Sequence, residues 1–141
     1  MKKTIFVLLF AFAAAHYATN AHTAPSSSGS TTGWQDNTVN QSLAEEFARC
    51  AAFNDVAAAC ARITPQEDPE KSAARYEDTA KRFYRGSFML AGENFTRKRV
   101  QSHEKSMRRN ANSACEGFPK LEQQHGTRCD NTFKRLPRSL Q

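Results

Sequence analysis

The chain has 141 residues, four cysteines and a formal net charge of +6. This length allows one small domain with a modest hydrophobic core. Beyond the first residues no stretch is apolar enough to cross a bilayer, which excludes an integral membrane protein, and the excess of lysine and arginine favours anionic partners.

The N-terminus has the layout of a secretory signal peptide. Two lysines precede an apolar run from Ile5 to Ala15, and small residues follow. The run has about eleven residues, too few to span a hydrocarbon core of roughly 30 Å. We place cleavage after Ala21, with cleavage after Ala15 as the alternative, and no cysteine follows either position for lipid attachment. Residues 1–21 are therefore predicted to direct a soluble bacterial protein to the periplasm or the medium.

The next segment, residues 22–41, is rich in serine, threonine and glycine, which predicts a flexible leader. Residues 42–141 are predicted to form a single helical domain. Its first helix begins at Ser42, where Ser-Leu-Ala-Glu is typical of a capping box. Apolar residues then recur at steps of three and four until Thr64, which precedes a proline and ends the helix.

Two further helices are expected in the middle of the chain. Asp68 is a suitable N-cap and Pro69 a suitable first residue for a helix that runs to Gly92. Asn94 then caps a third helix that ends near Asn110. Its apolar stripe is thin, so we expect this helix to be the most exposed.

A second capping-box sequence, at residues 113–116, opens the last segment. Apolar residues again recur at helical spacing, while Pro119 and Gly126 predict a bend or a break and Pro137 ends the segment. No stretch shows the alternation typical of a β-strand. The predicted fold class is all-α, a small up-down bundle of about four helices.

Export favours two disulfides, because the chain has an even number of cysteines and an oxidising compartment preserves the bonds. The ten-residue step from Cys50 to Cys60 rises about 15 Å in a helix, more than the roughly 4.4 to 6.8 Å between bonded Cα atoms, so these two cannot pair. In an up-down bundle the first and last helices are antiparallel neighbours. That arrangement pairs Cys50 with Cys129 and Cys60 with Cys115.

Three alternatives remain open. If the two helices were parallel, Cys50 would pair with Cys115 and Cys60 with Cys129. If the last segment were irregular, Cys115 could pair with Cys129. In the third alternative the cysteines form no disulfide and are buried as free thiols. The spacing of the first pair resembles that of the twin Cys-x9-Cys proteins of the mitochondrial intermembrane space, but thirteen residues separate the second pair. Neither pair has the short spacing of a zinc site, so we expect no metal.

Charge is unevenly distributed along the chain. Residues 22–70 contain two basic and seven acidic residues, whereas residues 71–109 contain eleven basic and four acidic ones. Six basic side chains form the core of this excess: Arg97, Lys98, Arg99, Lys105, Arg108 and Arg109. We expect this basic patch either to bind an anionic partner or to pair with the acidic first helix.

No motif specifies a reaction. Residues 102–104 read Ser-His-Glu, but neighbours on a helix point in different directions and cannot act as one catalytic group. His103 and His125 are expected to be structural, because an enzyme would need a carboxylate within reach of one of them in a polar cleft. We therefore expect a non-enzymatic binding or accessory protein of the bacterial cell envelope that uses no cofactor.

The expected partner is another envelope or secreted protein. The alternative is an anionic envelope surface, either lipid or lipopolysaccharide, bound through the basic helix at residues 97–109. Nucleic acid is not expected, because an exported chain seldom meets it and the aromatic residues Phe83, Tyr84 and Phe88 fit a core stripe better than a stacking platform.

Overall fold

The computed structural model describes the backbone of residues 33–141 and the side chains of residues 38–141. It contains three α-helices, α1 (Gly33–Ile63), α2 (Pro69–Ala111) and α3 (Phe118–Phe133), followed by a short 3₁₀-helix, Arg138–Leu140. The described residues form no β-strand, which confirms the all-α class. Within the same range, none of the helices is apolar over a sufficient length to cross a membrane. The predicted signal peptide, residues 1–21, lies outside the described residues.

Helix α2 is interrupted at Gly92, whose backbone has φ 77° and ψ 170°. Glycine adopts a positive φ without the steric cost that a Cβ brings. The hydroxyl groups of Ser87 and Thr96, on either side of Gly92, are 3.0 Å apart, so the two halves of α2 fold back on each other. The second and third helices expected from the sequence are joined through this residue. The structure therefore has three α-helices where about four were predicted.

Contacts along α1 show that the first half of α2, residues 69–91, is antiparallel to it. Ala58 and Ala73 pack in one apolar cluster near the end of α1 and the start of α2. Phe47 and Phe83 lie further along, with ring centroids 6.1 Å apart. The predicted start of this helix is confirmed, because the backbone N–H of Lys71 donates to the side chain of Asp68 at 3.0 Å.

The second half of α2, residues 93–111, runs parallel to α1, and α3 runs antiparallel to it. Arg99 bonds to Glu45, where the buried face of α1 begins. Cys115, in the link that follows α2, is bonded to Cys60 near the end of α1. Helix α3 meets α1 in the reverse order, with its last turns close to Glu46 and Cys50. The packed segments thus alternate in direction around α1.

Helix α1 begins at Gly33, not at Ser42, so residues 33–41, which we assigned to the flexible leader, are helical. Residues 38–42 are exposed, and the buried face begins with Ala44. Once that packed face has formed helix, each added residue gains a backbone hydrogen bond at a small entropic cost. The helix therefore extends beyond its packed part, and the predicted cap at Ser42 is wrong.

A turn at residues 112–117 links α2 to α3. Asn112 and Cys115 have φ of 60° and 59°, and the side-chain oxygen of Asn112 accepts hydrogen bonds from the backbone N–H groups of Ala114 and Glu116. Asparagine is common in turns because its side chain bonds to its own neighbouring amides. Asn112 therefore organises the turn, and the predicted capping box at residues 113–116 is wrong.

The predicted bend in the last segment does not form within α3. Pro119 lies in the first turn of the helix, where its missing N–H has no intrahelical partner to lose. Gly126 lies inside the continuous helix, since a single glycine costs only about 1 kcal/mol relative to alanine. The change of direction occurs earlier, in the turn before Phe118.

Two disulfides attach the last segment to α1. Cys50 pairs with Cys129 and Cys60 with Cys115, with Cα atoms 5.4 and 5.5 Å apart, and no free cysteine remains. This is the pairing that antiparallel neighbours predict, and it excludes the three alternatives. Because Cys115 lies in the turn before α3, the chain between Cys115 and Cys129 is not all helix. Its span can therefore match the ten-residue step on α1.

Each disulfide is expected to contribute about 2 to 5 kcal/mol to the free energy of unfolding, because each closes a long loop in the unfolded chain. The bonded residues are 79 and 55 positions apart. We predict losses in this range for the Cys50→Ala/Cys129→Ala and Cys60→Ala/Cys115→Ala proteins in urea titrations followed by circular dichroism. Losses below about 1 kcal/mol in both proteins would contradict the prediction.

The turn before α3 also requires a glycine. A Cβ at Gly117 would lie 2.0 Å from the carbonyl oxygen of Asn110, so backbone would have to move. We predict that Gly117→Ala lowers the free energy of unfolding by about 2 kcal/mol or more. The control is Gly126→Ala, whose Cβ would meet only the Cγ of Glu122 at 3.6 Å. The control should be neutral or stabilising by up to about 1 kcal/mol in the same titration, and equal effects of the two substitutions would refute the argument.

Candidate functional site

The second half of α2 presents all six residues of the basic patch at exposed positions. At about 100° per residue, five of the six fall within about 120° of the helix surface, over an axial length of about 18 Å. The buried residues Val100 and Met107 point away from this arc. We call the five residues the basic stripe: Arg97, Lys98, Lys105, Arg108 and Arg109.

Arg99, the sixth residue of the predicted patch, faces α1 instead. Its guanidinium donates two hydrogen bonds of 2.5 Å to the carboxylate of Glu45, and His103 Nε2 lies 2.7 Å from the same carboxylate. Hydrogen bonding from Arg99 holds the pKa of Glu45 below its usual value, against the opposing effect of burial, and His103 adds to the lowering. Arg99 is thus a packing contact between α1 and α2, and is not part of the stripe.

The three neighbours in Ser-His-Glu point to different surroundings. Ser102 is exposed, His103 bonds to Glu45 of α1, and Glu104 pairs with Arg108 at 2.7 Å. The carboxylate near His103 therefore comes from a different helix, a contact that the sequence reasoning missed. His125 lies against the ring of Phe53, at 6.0 Å between centroids, and burial lowers its pKa.

Most of the basic stripe lacks an acidic partner. Arg108 pairs with Glu104, but no carboxylate among the described residues forms an ion pair with Arg97, Lys98, Lys105 or Arg109. On α1, Glu45 binds Arg99, and Glu46 binds Arg128 and Arg135 of the last segment at 2.8 and 2.9 Å. Asp55 forms no ion pair with the described residues. Pairing with the acidic first helix therefore accounts for Arg99 alone.

An apolar groove of about 350 Å³ adjoins the C-terminal end of the stripe. Val56, Ala59 and Ile63 line it together with the Cys60–Cys115 disulfide, and Arg108 and Arg109 line its other side. Ile63 is 56% exposed, although the helical spacing placed it in the core. The surface at this end can thus accept an apolar group next to an anionic one.

The described residues contain no cluster of three or more histidine, cysteine, aspartate or glutamate side chains arranged to hold a metal ion. Comparison of the chain with protein-family models, with curated proteins and with solved structures gave no match. The basic stripe and the apolar groove are therefore the surfaces that indicate a function.

Asp55 lies on α1 between the two halves of α2, near Glu77 and Lys81 of the first half and Glu104 and Arg108 of the second. Burial, with a smaller contribution from Glu104, raises the pKa of Asp55 to about 6. An aspartate in the unfolded chain titrates near pH 4, so the folded chain holds this proton more tightly. The free energy of unfolding should therefore fall as the pH rises from about 4 to 6, and stay lower above it.

We predict that Asp55→Asn raises the free energy of unfolding by about 1 to 3 kcal/mol at pH 8, because it removes a carboxylate that is costly to ionise. At pH 4 the wild-type side chain is already protonated in the folded state, and the gain should be close to zero. Urea titrations of both proteins at the two pH values test this. The same gain at both pH values, or a loss at pH 8, would be incompatible with a raised pKa.

Proposed function

We propose that this protein is an exported, non-enzymatic binding or accessory protein of the bacterial cell envelope. The signal-peptide pattern at residues 1–21 supports export. The two disulfides also support it, because such bonds persist in oxidising compartments and are rare in the cytoplasm. The proposed location is the periplasm or the medium.

The basic stripe is the observation that carries a binding function. Its five cations lie on the solvent-facing side of α2, and four of them have no carboxylate partner among the described residues. Like charges gathered on one face repel one another, and an acidic partner would relieve that repulsion. Exposed charges contribute little to stability, so the fold itself does not require this arrangement. The proposed partner is another envelope or secreted protein with an acidic surface.

The second candidate is an anionic envelope surface, made of lipid or lipopolysaccharide. The apolar groove favours it, because exposed Ile63 lies beside Arg108 and Arg109 at the end of the stripe. Lipids present phosphate groups next to acyl chains, and each basic residue near an anionic surface contributes about 1 kcal/mol. The helix lacks a broad exposed apolar face, so the proposed contact is peripheral and does not involve insertion.

A charge-matched pair of variants tests the stripe. In the stripe variant, four residues without an acidic partner are replaced by glutamine: Arg97, Lys98, Lys105 and Arg109. The control removes the same charge from two arginines and two lysines at exposed positions elsewhere: Arg75, Arg85, Lys120 and Lys134. Both variants keep the Arg99–Glu45 contact and the two disulfides.

With vesicles containing phosphatidylglycerol, we predict that the wild-type protein binds at low salt and is released as salt increases. The stripe variant should lose about 100-fold or more in affinity, whereas the control should stay within about fivefold of wild type. Absence of salt-sensitive vesicle binding would rule out the second candidate. Equal losses in the two variants would rule out the stripe as the binding surface.

The first candidate is tested by capture from envelope extract with the oxidised mature protein. We predict that the wild-type protein and the control variant retain an acidic protein that the stripe variant does not. If all three baits retained the same proteins, the stripe would not be the protein-binding surface.

A further inference from the structure

A pocket of about 430 Å³ opens between α1, α2 and α3, away from the basic stripe. Its lining includes Phe53 from α1, Phe83 and Tyr76 from α2, and Phe133 from α3. Phe53 and Phe83 are only 5% and 1% exposed, so they form its inner wall. Three helices thus contribute four aromatic rings to one concave surface, and the volume suits a small molecule.

The charged residues that line this pocket are acidic. Glu122 and Asp130 of α3 belong to the lining, to which the described residues contribute no lysine, arginine or histidine. Tyr76 lines the same pocket, and its pKa is raised by burial, which is the larger effect, and by the charges of the two carboxylates. A cation in the pocket would therefore meet two negative charges and several aromatic faces, although the chain as a whole carries a net charge of +6.

A buried polar residue also lines the pocket. Asn54 belongs to the lining and is 5% exposed, and its Nδ2 donates to the carbonyl oxygen of Cys50 at 2.8 Å. Its side-chain oxygen accepts no hydrogen bond from the described residues and is not fully buried. A ligand N–H group can donate to this oxygen.

Gly126 leaves space where a side chain would otherwise enter the pocket. It lies four residues after Glu122 and four before Asp130, so the three share one ridge of α3 about one turn apart. A Cβ at Gly126 would contact only the Cγ of Glu122, which means that packing against a neighbouring helix does not require a glycine there. Glycine costs about 1 kcal/mol relative to alanine inside a helix. The gap between the two carboxylates therefore lowers the stability of α3 slightly.

We propose that this pocket binds a small organic cation, an amine or quaternary ammonium compound with an apolar body. The ammonium group lies over Gly126, about 6 Å along the helix axis from each acidic residue, where opposite charges still interact strongly. Its apolar body contacts Phe53 and Phe83, and the face of Tyr76 stabilises the cation. This site is separate from the basic stripe, and its ligand has the opposite charge to the partner proposed above.

The test uses the oxidised mature protein and three probes of similar shape but different charge. The probes are 2-phenylethylamine, its neutral counterpart 2-phenylethanol and the anion 3-phenylpropionate, titrated by calorimetry and by NMR. We expect the amine to bind at least about tenfold more tightly than the alcohol and the anion, and to shift the amide signal of Gly126. Equal affinities for amine and anion, or no binding of the amine up to about 10 mM, would overturn the proposal.

Two sets of variants test separately the charge of the carboxylates and the space beside Gly126. Glu122→Gln/Asp130→Asn should weaken amine binding about tenfold or more and leave binding of the alcohol unchanged. The matched control, Glu67→Gln/Glu93→Gln, removes two exposed carboxylates outside the pocket and should bind the amine as wild type does. Gly126→Leu should abolish binding of the amine and of the alcohol. Gly126→Ala leaves the helix intact and should weaken binding of the amine and of the alcohol. Unchanged amine affinity in both Gly126 variants would overturn the proposal. Vesicle binding should be the same as in the wild-type protein in every variant of this set.

Discussion

The packing of α1 against α2 and α3 is the interaction on which the rest of the structure depends. Its buried face consists largely of alanines: Ala44, Ala48, Ala51, Ala52, Ala57, Ala58 and Ala61. Small side chains let both halves of α2 approach closely, and the disulfides hold the last segment at two points of the same helix. The groove and the pocket are each lined partly by α1, so both depend on this packing.

The helices and the disulfide pairing could be predicted from the sequence. The spacing of apolar residues identified the helices, and the rise of a helix excluded a bond between Cys50 and Cys60. The predicted starts at Ser42 and Ser113 were wrong, because a capping-box sequence acts only where a helix begins, and neither residue lies at the start of a helix. Packing of α1 and the positive φ of Asn112 decided those places, and neither can be read from a local pattern.

The two candidate sites also differ in how far the sequence predicts them. The basic stripe lies within one helix, so sequence spacing was enough to locate it, apart from Arg99. The contact of that residue with Glu45 spans 54 positions, and the aromatic pocket collects residues from three helices. Such contacts depend on which helices are neighbours. The tertiary structure consequently separates two opposite charges on one small domain: cations on the solvent face of α2, and carboxylates beside an aromatic pocket on α3.

Peptide mapping of the oxidised protein without reduction tests most directly whether two disulfides attach the last segment to α1 in antiparallel order. Trypsin alone leaves Cys50 and Cys60 on one peptide, so a second cleavage before Asp55 is needed to separate them. We predict peptides that link Cys50 to Cys129 and Cys60 to Cys115, with no free thiol. Peptides that link Cys50 to Cys115, a local bridge between Cys115 and Cys129, or alkylated cysteines would contradict it.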